Sequence, residues 1–459
     1  MDSTLACLAA WMPRQRWYAA KGRPPSLRLV AWWEMDAPSA EPDTSIRTYL
    51  VADEGALPVV LYQIPIVARA TADVDAPPDH IVGSPEPGTT FIDGAFDPAY
   101  TSALARLVTE GRRGAGPQAE ATGHPGPDAA HADPDDARVL VGEQSNTSII
   151  FGGVDGGPPM ICKLYRQVHP GLNPDIELAS ALARAGSPAV PRALGFVEGR
   201  WPDLATAHGS VTGSLVFAQE FLPDVEDAWR VALAAAAASE DFREPARALG
   251  AATAEVHVAL AGLFPTERMD DEARALTRAT WERRLGIAIA EVPQIADLRG
   301  RIEAVYTQAE SALWPDAQRI HGDYHLGQVL RVRTGAWILL DFEGEPLRPM
   351  AERRRPDLAL RDIAGMRRSF DYVAGSIRLD DPNRAAESTR AWASSARDAF
   401  LDGWATVTGV DLDAAAPLLA ALELDKALYE AIYESRNRPT WVSIPLRAIR
   451  RLVEHVAPR

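Results

Sequence analysis

A chain of 459 residues with a net charge of −16, 47% hydrophobic and 24% charged, has the composition of a soluble globular protein too long for one core, so two or three packed subdomains are expected. So acidic a balance argues against nucleic acid, whose binding needs a basic patch to release counterions, and fits a small neutral substrate or a cationic partner. No segment approaches the roughly 20 apolar residues that span a bilayer, and Cys7 and Cys162 are too far apart to suggest a disulfide framework or a zinc knuckle.

The N-terminal stretch MDSTLACLAAWMPRQRWYAAKGR lacks a basic region before a long apolar run, so no export is expected and a cytoplasmic location is. From Leu27 to about Ala70 short β-type runs (LRLVAWW, RTYLVA, LPVVLYQIPIVA) alternate with acidic, Pro or Gly residues, which predicts antiparallel strands in a small β-rich cap over 1–110. Residues 111–137 (GRRGAGPQAEATGHPGPDAAHADPDDA) lose apolar periodicity and predict a low-complexity linker or long loop. RVLVGEQSNTSIIFGG and PPMICKLYRQ then read as a hairpin. Asn173 and Pro174 cap a helix in NPDIELASALARAG, and LVFAQEFLP is a further strand, which completes a nucleotide-binding region over 138–222. From Ala228 the pattern is helical (WRVALAAAAA, ARALGAATAEVHVALAGL, AALELDKALYEAIYESR), so 223–459 reads as a mainly helical lobe.

The helical lobe is interrupted by HGDYHLGQVLRVRTGAWILLDFEGEP, residues 321–346. The apolar run AWILL ends at Asp341 and Glu343, which places two carboxylates at the tip of a buried strand. Asp323 lies in a loop, with Gln328 five residues on. An aspartate, an amide five positions later and a carboxylate at a strand end reproduce the spacing of a kinase catalytic loop and its metal-binding acid. Asp323 would take the proton of an acceptor hydroxyl, while Gln328, Asp341 and Glu343 offer hard oxygens to Mg²⁺. A metal hydrolase would use His321, Asp323 and His325 instead, but it needs more histidine ligands, and the other histidines form no second cluster. The two loop histidines read better as supports that bond to backbone carbonyls.

No GxxxxGK[ST] occurs, which removes a Walker-type phosphate loop. Lys163 in the apolar run MICKLYR needs a partner. Glu177 on the following helix could supply it while the ammonium reaches nucleotide phosphates; a snorkelling surface lysine is the competing account. In the turn EQSNTS, the hydroxyls of Ser145, Thr147 and Ser148 could cover phosphates, although a polar hairpin turn looks the same. FAQEFLP is placed as the hinge, with Gln219, Glu220 and Leu222 at the adenine edge.

These segments, together with QRWYAAKGR, VHPGLNPDIEL, ERRRPDLALRDIAGMRRSFDY and DKALYEAIYESRNRPTW, make the sequence resemble the actinobacterial maltokinases, of the aminoglycoside-phosphotransferase and eukaryotic-like kinase fold. The resemblance implies an α+β, bilobal protein-kinase-like fold with an added N-terminal cap. It also implies phosphorylation of maltose at its anomeric hydroxyl with ATP and Mg²⁺, feeding trehalose-linked α-glucan synthesis, and a possible trehalose-metabolising enzyme as partner. By motif, Asp323 is then the base, Gln328 and Asp341 with Glu343 hold magnesium, and Lys163 binds phosphate. Tyr324 stands where leucine is expected in many relatives.

On the helix DKALYEAIYESRNRPTW, Lys426, Glu430 and Glu434 recur every four residues, beside a stripe of Tyr429, Tyr433 and Arg436 that ends near Trp441. Aromatic faces with charged groups suit a sugar, and His325 is placed with them. An exposed helix carrying i,i+4 ion pairs is the plainer account. An amino-sugar or aminoglycoside kinase remains open, because Glu430 and Glu434 could receive an ammonium, and so does a pseudokinase-like binding module. In Glu352–Asp362, arginines could bind phosphate or pair with Asp357 and Asp362.

Overall fold

The computed structural model describes all residues except 1–2, 38–43, 130–131, 141, 143–144, 155–156, 207, 347, 382–385 and 455–459, and only the backbone at 386. It divides into two units, Met1–Ser180 with Pro191–Pro223, and Ala181–Val190 with Asp224–Arg459. Among the described residues no helix is long and apolar enough to cross a membrane.

The first unit is built on an antiparallel sheet of twelve described strands. Its cap strands are β1 (Leu27–Met35), β2 (Ser45–Asp53), β3 (Val60–Ala70), β4 (Ile81–Glu86) and β5 (Thr89–Asp93). They are followed by β6 (Arg113–Ala115), β7 (Glu120–Pro125), β8 (Ala132–Val139), β9 (Thr147–Gly153), β10 (Met160–Leu164), β11 (Ala193–Pro202) and β12 (Ser210–Glu220). Their order is β4-β5-β3-β2-β1-β6-β7-β11-β12-β10-β9-β8. The β-branched and aromatic alternation of the first three runs produces the expected strands, whose inner faces bury Tyr49, Val51, Tyr62, Ile64 and Ile66. Helix α1 (Ser3–Trp11) covers this face, and Trp11 meets Trp17 edge-on at 5.5 Å.

The cap is fastened to the neighbouring strands by buried polar groups. Gln63 Nε2 donates to Tyr165 O and Leu215 O, both at 2.6 Å. Arg166, fully buried, donates to both carboxylate oxygens of Asp93 at 3.0 and 2.8 Å, and its guanidinium lies over Trp17 at 4.9 Å.

The expected loop over 111–137 is corrected. It contains β6, β7 and the start of β8, following helix α2 (Pro98–Glu110). The composition misleads because its glycines serve close packing. A Cβ at Gly123 would lie 1.6 Å from Leu107 O, and one at Gly116 would lie 1.9 Å from Trp32 O. The acidic, proline-bearing segment ADPDDARV is the outermost strand β8, where charge and Pro suit an edge. RVLVGEQSNTSIIFGG is therefore itself a hairpin, β8 to β9, rather than one strand.

The second unit is helical: α4 (Ala228–Ala238), α5 (Arg243–Leu263), α6 (Asp271–Glu291), α7 (Arg299–Glu310), α8 (Met350–Arg353), α9 (Ala359–Asp380), α10 (Ala386–Thr408), α11 (Leu412–Asn437) and α12 (Ser443–Val453). Asp227 caps α4 by accepting from Trp229 N and Arg230 N. The apolar stripe of α5 (Leu249, Thr253, Val256, Leu260) is buried where it packs on α10. A small sheet joins β13 (Glu226–Asp227), β14 (Val329–Arg331) and β15 (Trp337–Leu339), so the chemistry-bearing stretch folds as a hairpin between helices.

Candidate active site

In the first unit, Lys163 lies on β10, opposite Ser148 and Phe217. A lysine with 15% of its side chain exposed needs a counter-charge, and Asp175 Oδ2 supplies one at 3.3 Å. Asp175 is an acid that the sequence reading passed over in favour of Glu177. It sits in the first turn of α3 (Pro174–Arg184), where Asn173 Oδ1 accepts its backbone N–H at 2.8 Å, the cap expected from the sequence. Two expected phosphate-covering residues move. Thr147 and Ser148 are buried strand residues of β9, and the Thr147 hydroxyl accepts from Arg166 Nε at 2.8 Å. Ser145 stays exposed in the turn, while Glu143 and Gln144 lie outside the described residues. At the expected hinge, Gln219 pairs with Ile161 in β10. Glu220 is turned to Arg192, its N–H to Arg192 O at 2.9 Å and its carboxylate to the guanidinium at 2.9 and 3.2 Å. Glu220 is thereby committed at the C-terminal end of the interior strand β12, and Leu222 follows beyond it.

In the second unit the catalytic-type loop is pinned from beneath. Asp362 on α9, 1% exposed, accepts from His321 N at 2.8 Å and Gly322 N at 2.9 Å. It also bonds His257 Nε2 at 3.0 Å. Trp404 Nε1, which can only donate, points at His257 Nδ1 at 3.1 Å, so the His257 proton is on Nε2 and goes to Asp362. The sequence offered Asp362 as one possible partner for the nearby arginines; it holds the loop, while Asp357 pairs with Arg361 at 2.8 Å and Arg348 at 3.1 Å. His321 is the loop support expected, with Nε2 donating to Leu340 O at 2.7 Å. His325 differs: its Nδ1 accepts from Gly327 N at 3.1 Å, and burial pushes its pKa down, which keeps the ring neutral. Tyr324 is buried, its hydroxyl 2.7 Å from that of Thr253, and it does not line the acceptor-side cavity.

Gln328 Nε2 donates to Asp341 Oδ2 at 3.1 Å, which joins the amide and the carboxylate that the spacing selected. Asp341 has φ +63°, a left-handed conformation that is costly for a residue with a side chain, and such strain concentrates at working sites. Gly322 (φ +83°) and Gly344 (φ +75°) let the two loops approach, since a Cβ at Gly322 would sit 3.2 Å from Gly344 Cα. Glu343 is half-buried in the turn after Asp341.

Lys426 on α11 reaches into this corner, its Nζ 2.6 Å from Glu345 Oε1 and 3.4 Å from Asp323 Oδ1. Burial works against the Lys426 charge, but Glu345 and Asp323 outweigh it and raise its pKa. Burial alone would push the Glu345 carboxyl up; Lys426 and Arg348 reverse this and hold it at about 2. Glu345 was missed, although it stands two residues past Glu343 in the quoted DFEGEP.

Around Asp323 opens a cavity of about 640 Å³, lined by His325, Lys426, Tyr429, Glu430, Tyr433, Glu434 and Trp441 among others. The helix stripe is therefore not an exposed ladder of ion pairs: Glu430 and Glu434 are 9% and 1% exposed. Arg436 is the exception, because it points to the surface and pairs with Glu291, its Nε 2.8 Å away. Arg438 takes its place, bridging Glu434 at 2.6 and 2.9 Å and lying 4.7 Å from the Trp441 ring centre. Tyr372, also missed, lines the cavity and donates to Glu434 Oε1 at 3.0 Å. Arg368 donates twice to Glu430 Oε2, at 2.8 and 2.6 Å.

Residues 136–344 match the Phosphotransferase enzyme family, and residues 11–97 match the Maltokinase N-terminal cap domain. A glucosamine kinase of Streptacidiphilus jiangxiensis is 30% identical over 333 residues, 67% of this chain and 71% of that protein. The chain belongs to the phosphotransferase enzyme family. A second relative of this phosphotransferase, a glucosamine kinase of Mycolicibacterium smegmatis, is 29% identical over 345 residues, 69% of this chain and 79% of that one. A solved structure of a glucosamine kinase in complex with glucosamine, ADP and inorganic phosphate has 23% identity and a TM-score of 0.67, over 97% of this chain and 98% of that chain. Another glucosamine kinase crystal form gives 23% and 0.69, over 98% and 99%. These likenesses carry the fold: α+β, kinase-like, with a β-rich cap and a helical C-terminal region. As a phosphotransferase of this kind, the protein has an alcohol group as its acceptor.

Proposed function

We propose that the protein is a sugar kinase that uses ATP and Mg²⁺ to phosphorylate maltose at its anomeric hydroxyl, giving maltose 1-phosphate. In this reading Asp323 accepts the proton of the attacking hydroxyl, and Lys163, steadied by Asp175, meets the nucleotide phosphates. Gln328 and Asp341, with Glu343 beside them, would hold magnesium; an amide and carboxylates are the hard oxygen donors that ion takes. Bound there, magnesium would neutralise developing phosphate charge. Lys426 orients Asp323, and the tyrosines with Trp441 offer flat faces to sugar C–H surfaces.

The observation that carries the acceptor class is charge compensation in the cavity. Each acid that could attract an ammonium already has a cation: Glu430 has Arg368, Glu434 has Arg438, and Asp323 has Lys426. A site so neutralised favours a polyhydroxyl acceptor without charge, and about 640 Å³ leaves room for two sugar rings. The match to a maltokinase-type cap points the same way. The second reading, glucosamine as acceptor, is favoured by the names of the two relatives and by the acid content of the same wall.

An acceptor panel with ATP and Mg²⁺, read by ADP release and by NMR of the phosphorylated product, separates the readings. Maltose should exceed glucosamine in kcat/KM by at least about tenfold, a difference of about 1.4 kcal/mol in transition-state binding. Glucosamine turnover without maltose turnover would overturn the maltose assignment. Asp323→Asn should lower kcat by about 10²–10⁴ while retaining nucleotide binding, and undiminished turnover would remove it as the base.

A further inference from the structure

A second cavity in the helical unit, of about 770 Å³, lies among α7, α9, α10 and α12. Its lining holds seven arginines against three carboxylates, Asp371, Glu387 and Glu454, so it is locally cationic in a chain whose net charge is −16. Asp371 is already shared by the guanidinium groups of Arg368, Arg397 and Arg451. One carboxylate thus serves three cations and has little left for a fourth.

Donors on three of these arginines, Arg378, Arg397 and Arg447, are unspent. Arg397 is 7% exposed, yet its Nε has no hydrogen-bond partner. Among the described residues, neither Arg378 on α9 nor Arg447 on α12 forms an ion pair. Burial lowers the Arg447 pKa, and the neighbouring charge of Arg378 lowers it further. Half-buried guanidinium groups held against like charge are unfavourable unless an anion joins them, and the planar fork of arginine suits the oxygens of a phosphate.

We propose that this arginine-lined cavity binds a small phosphate-bearing anion, held by Arg378, Arg397 and Arg447. The shared chemistry is a phosphate dianion, whether free or as the monoester of a sugar. The site is separate from the cavity around Asp323 and stands whether or not the proposed acceptor is right.

The test is titration calorimetry of the full chain at fixed ionic strength with two probes, inorganic phosphate and glucose 1-phosphate. It is run on Lys163→Met protein so that binding beside the nucleotide phosphates does not contribute. At least one probe should bind saturably, and the probe that binds more tightly identifies the source of the phosphate. Arg447→Gln and, separately, Arg378→Gln should each weaken that binding at least tenfold. Because each removes repulsion, thermal melting of the free protein should stay level or rise, whereas loss of a merely structural contact would lower it. Absence of binding by both probes, or unchanged affinity in both arginine variants, would overturn the proposal.

Discussion

Replacing Asp362 by asparagine tests whether the catalytic-type loop is held as the geometry indicates. Oδ2 accepts from His321 N–H (2.8 Å) and from His257 Nε2–H (3.0 Å), while Oδ1 accepts from Gly322 N–H (2.9 Å). Asparagine fits the same space. Its best orientation keeps oxygen towards His321 and His257 and sets its NH₂ against the Gly322 N–H, so one charge-assisted bond is lost and two donors face each other in a buried place. A hydrogen bond to a charged group contributes about 1.5–3 kcal/mol, and a buried unsatisfied donor costs about 1–3 kcal/mol. If about 3 kcal/mol of this falls on the loop conformation that places Asp323, kcat drops about a hundredfold. Steady-state ADP release should show that fall in kcat with KM for ATP within about twofold, the split expected of a positioning residue. A kcat within twofold of the parent in folded Asp362→Asn protein would refute the clamp.

Three further outcomes follow from the same geometry. Asp341→Asn should raise the Mg²⁺ concentration needed for half-maximal rate by about tenfold or more, measured by magnesium titration of turnover, because it removes the charged carboxylate oxygen that would hold the proposed ion beside Gln328. Arg438→Ala should raise acceptor KM about tenfold or more by releasing Glu434 and uncovering Trp441, whereas Arg436→Ala, in an exposed pair, should leave kcat/KM within about twofold; equal effects would mean the cavity wall is misassigned. Glu345 ionises near 2 when folded, below its ordinary 4.5, so the stability it contributes is complete above about pH 4.5 and is lost as pH falls towards 2. That depression corresponds to about 3 kcal/mol. Urea melts at pH 6 and pH 3 should show Glu345→Gln with a smaller loss between them than the parent; an equal loss would remove Glu345 as a source of the acid sensitivity.

Local spacing was the most legible part of the candidate site. Asp323, Gln328 and Asp341 sit in one short stretch, and the structure brings Gln328 and Asp341 into contact. The helix period likewise predicted which residues of α11 share a face, and it failed at Arg436 because a residue two positions from Glu434 turns outward, while Arg438, four positions on, returns to it. Long-range partners left no such trace. Asp175 and Asp362 act through tertiary approach, and from sequence each looks like an ordinary first-turn helix acid. Thr147 and Ser148 were read as part of the turn, whereas they open strand β9, because a polar tip and a polar strand start have the same composition. The glycines of 111–137 were legible as flexibility but not as the room that adjacent backbones require.

The short strand β6 bears on how the cap can be studied. It stands between β1 and β7, and Glu34 opposite Ala115 is the register pair that joins it to the cap. Deleting the cap strands would uncover that side of the three-residue strand and leave the backbone groups of this pairing without partners, open to another chain. It would also remove Asp93 from the fully buried Arg166, leaving a stranded charge in the sheet. An excised catalytic portion should therefore self-associate for reasons of backbone bonding, and insolubility of such a truncation would say nothing about what the cap contributes to catalysis.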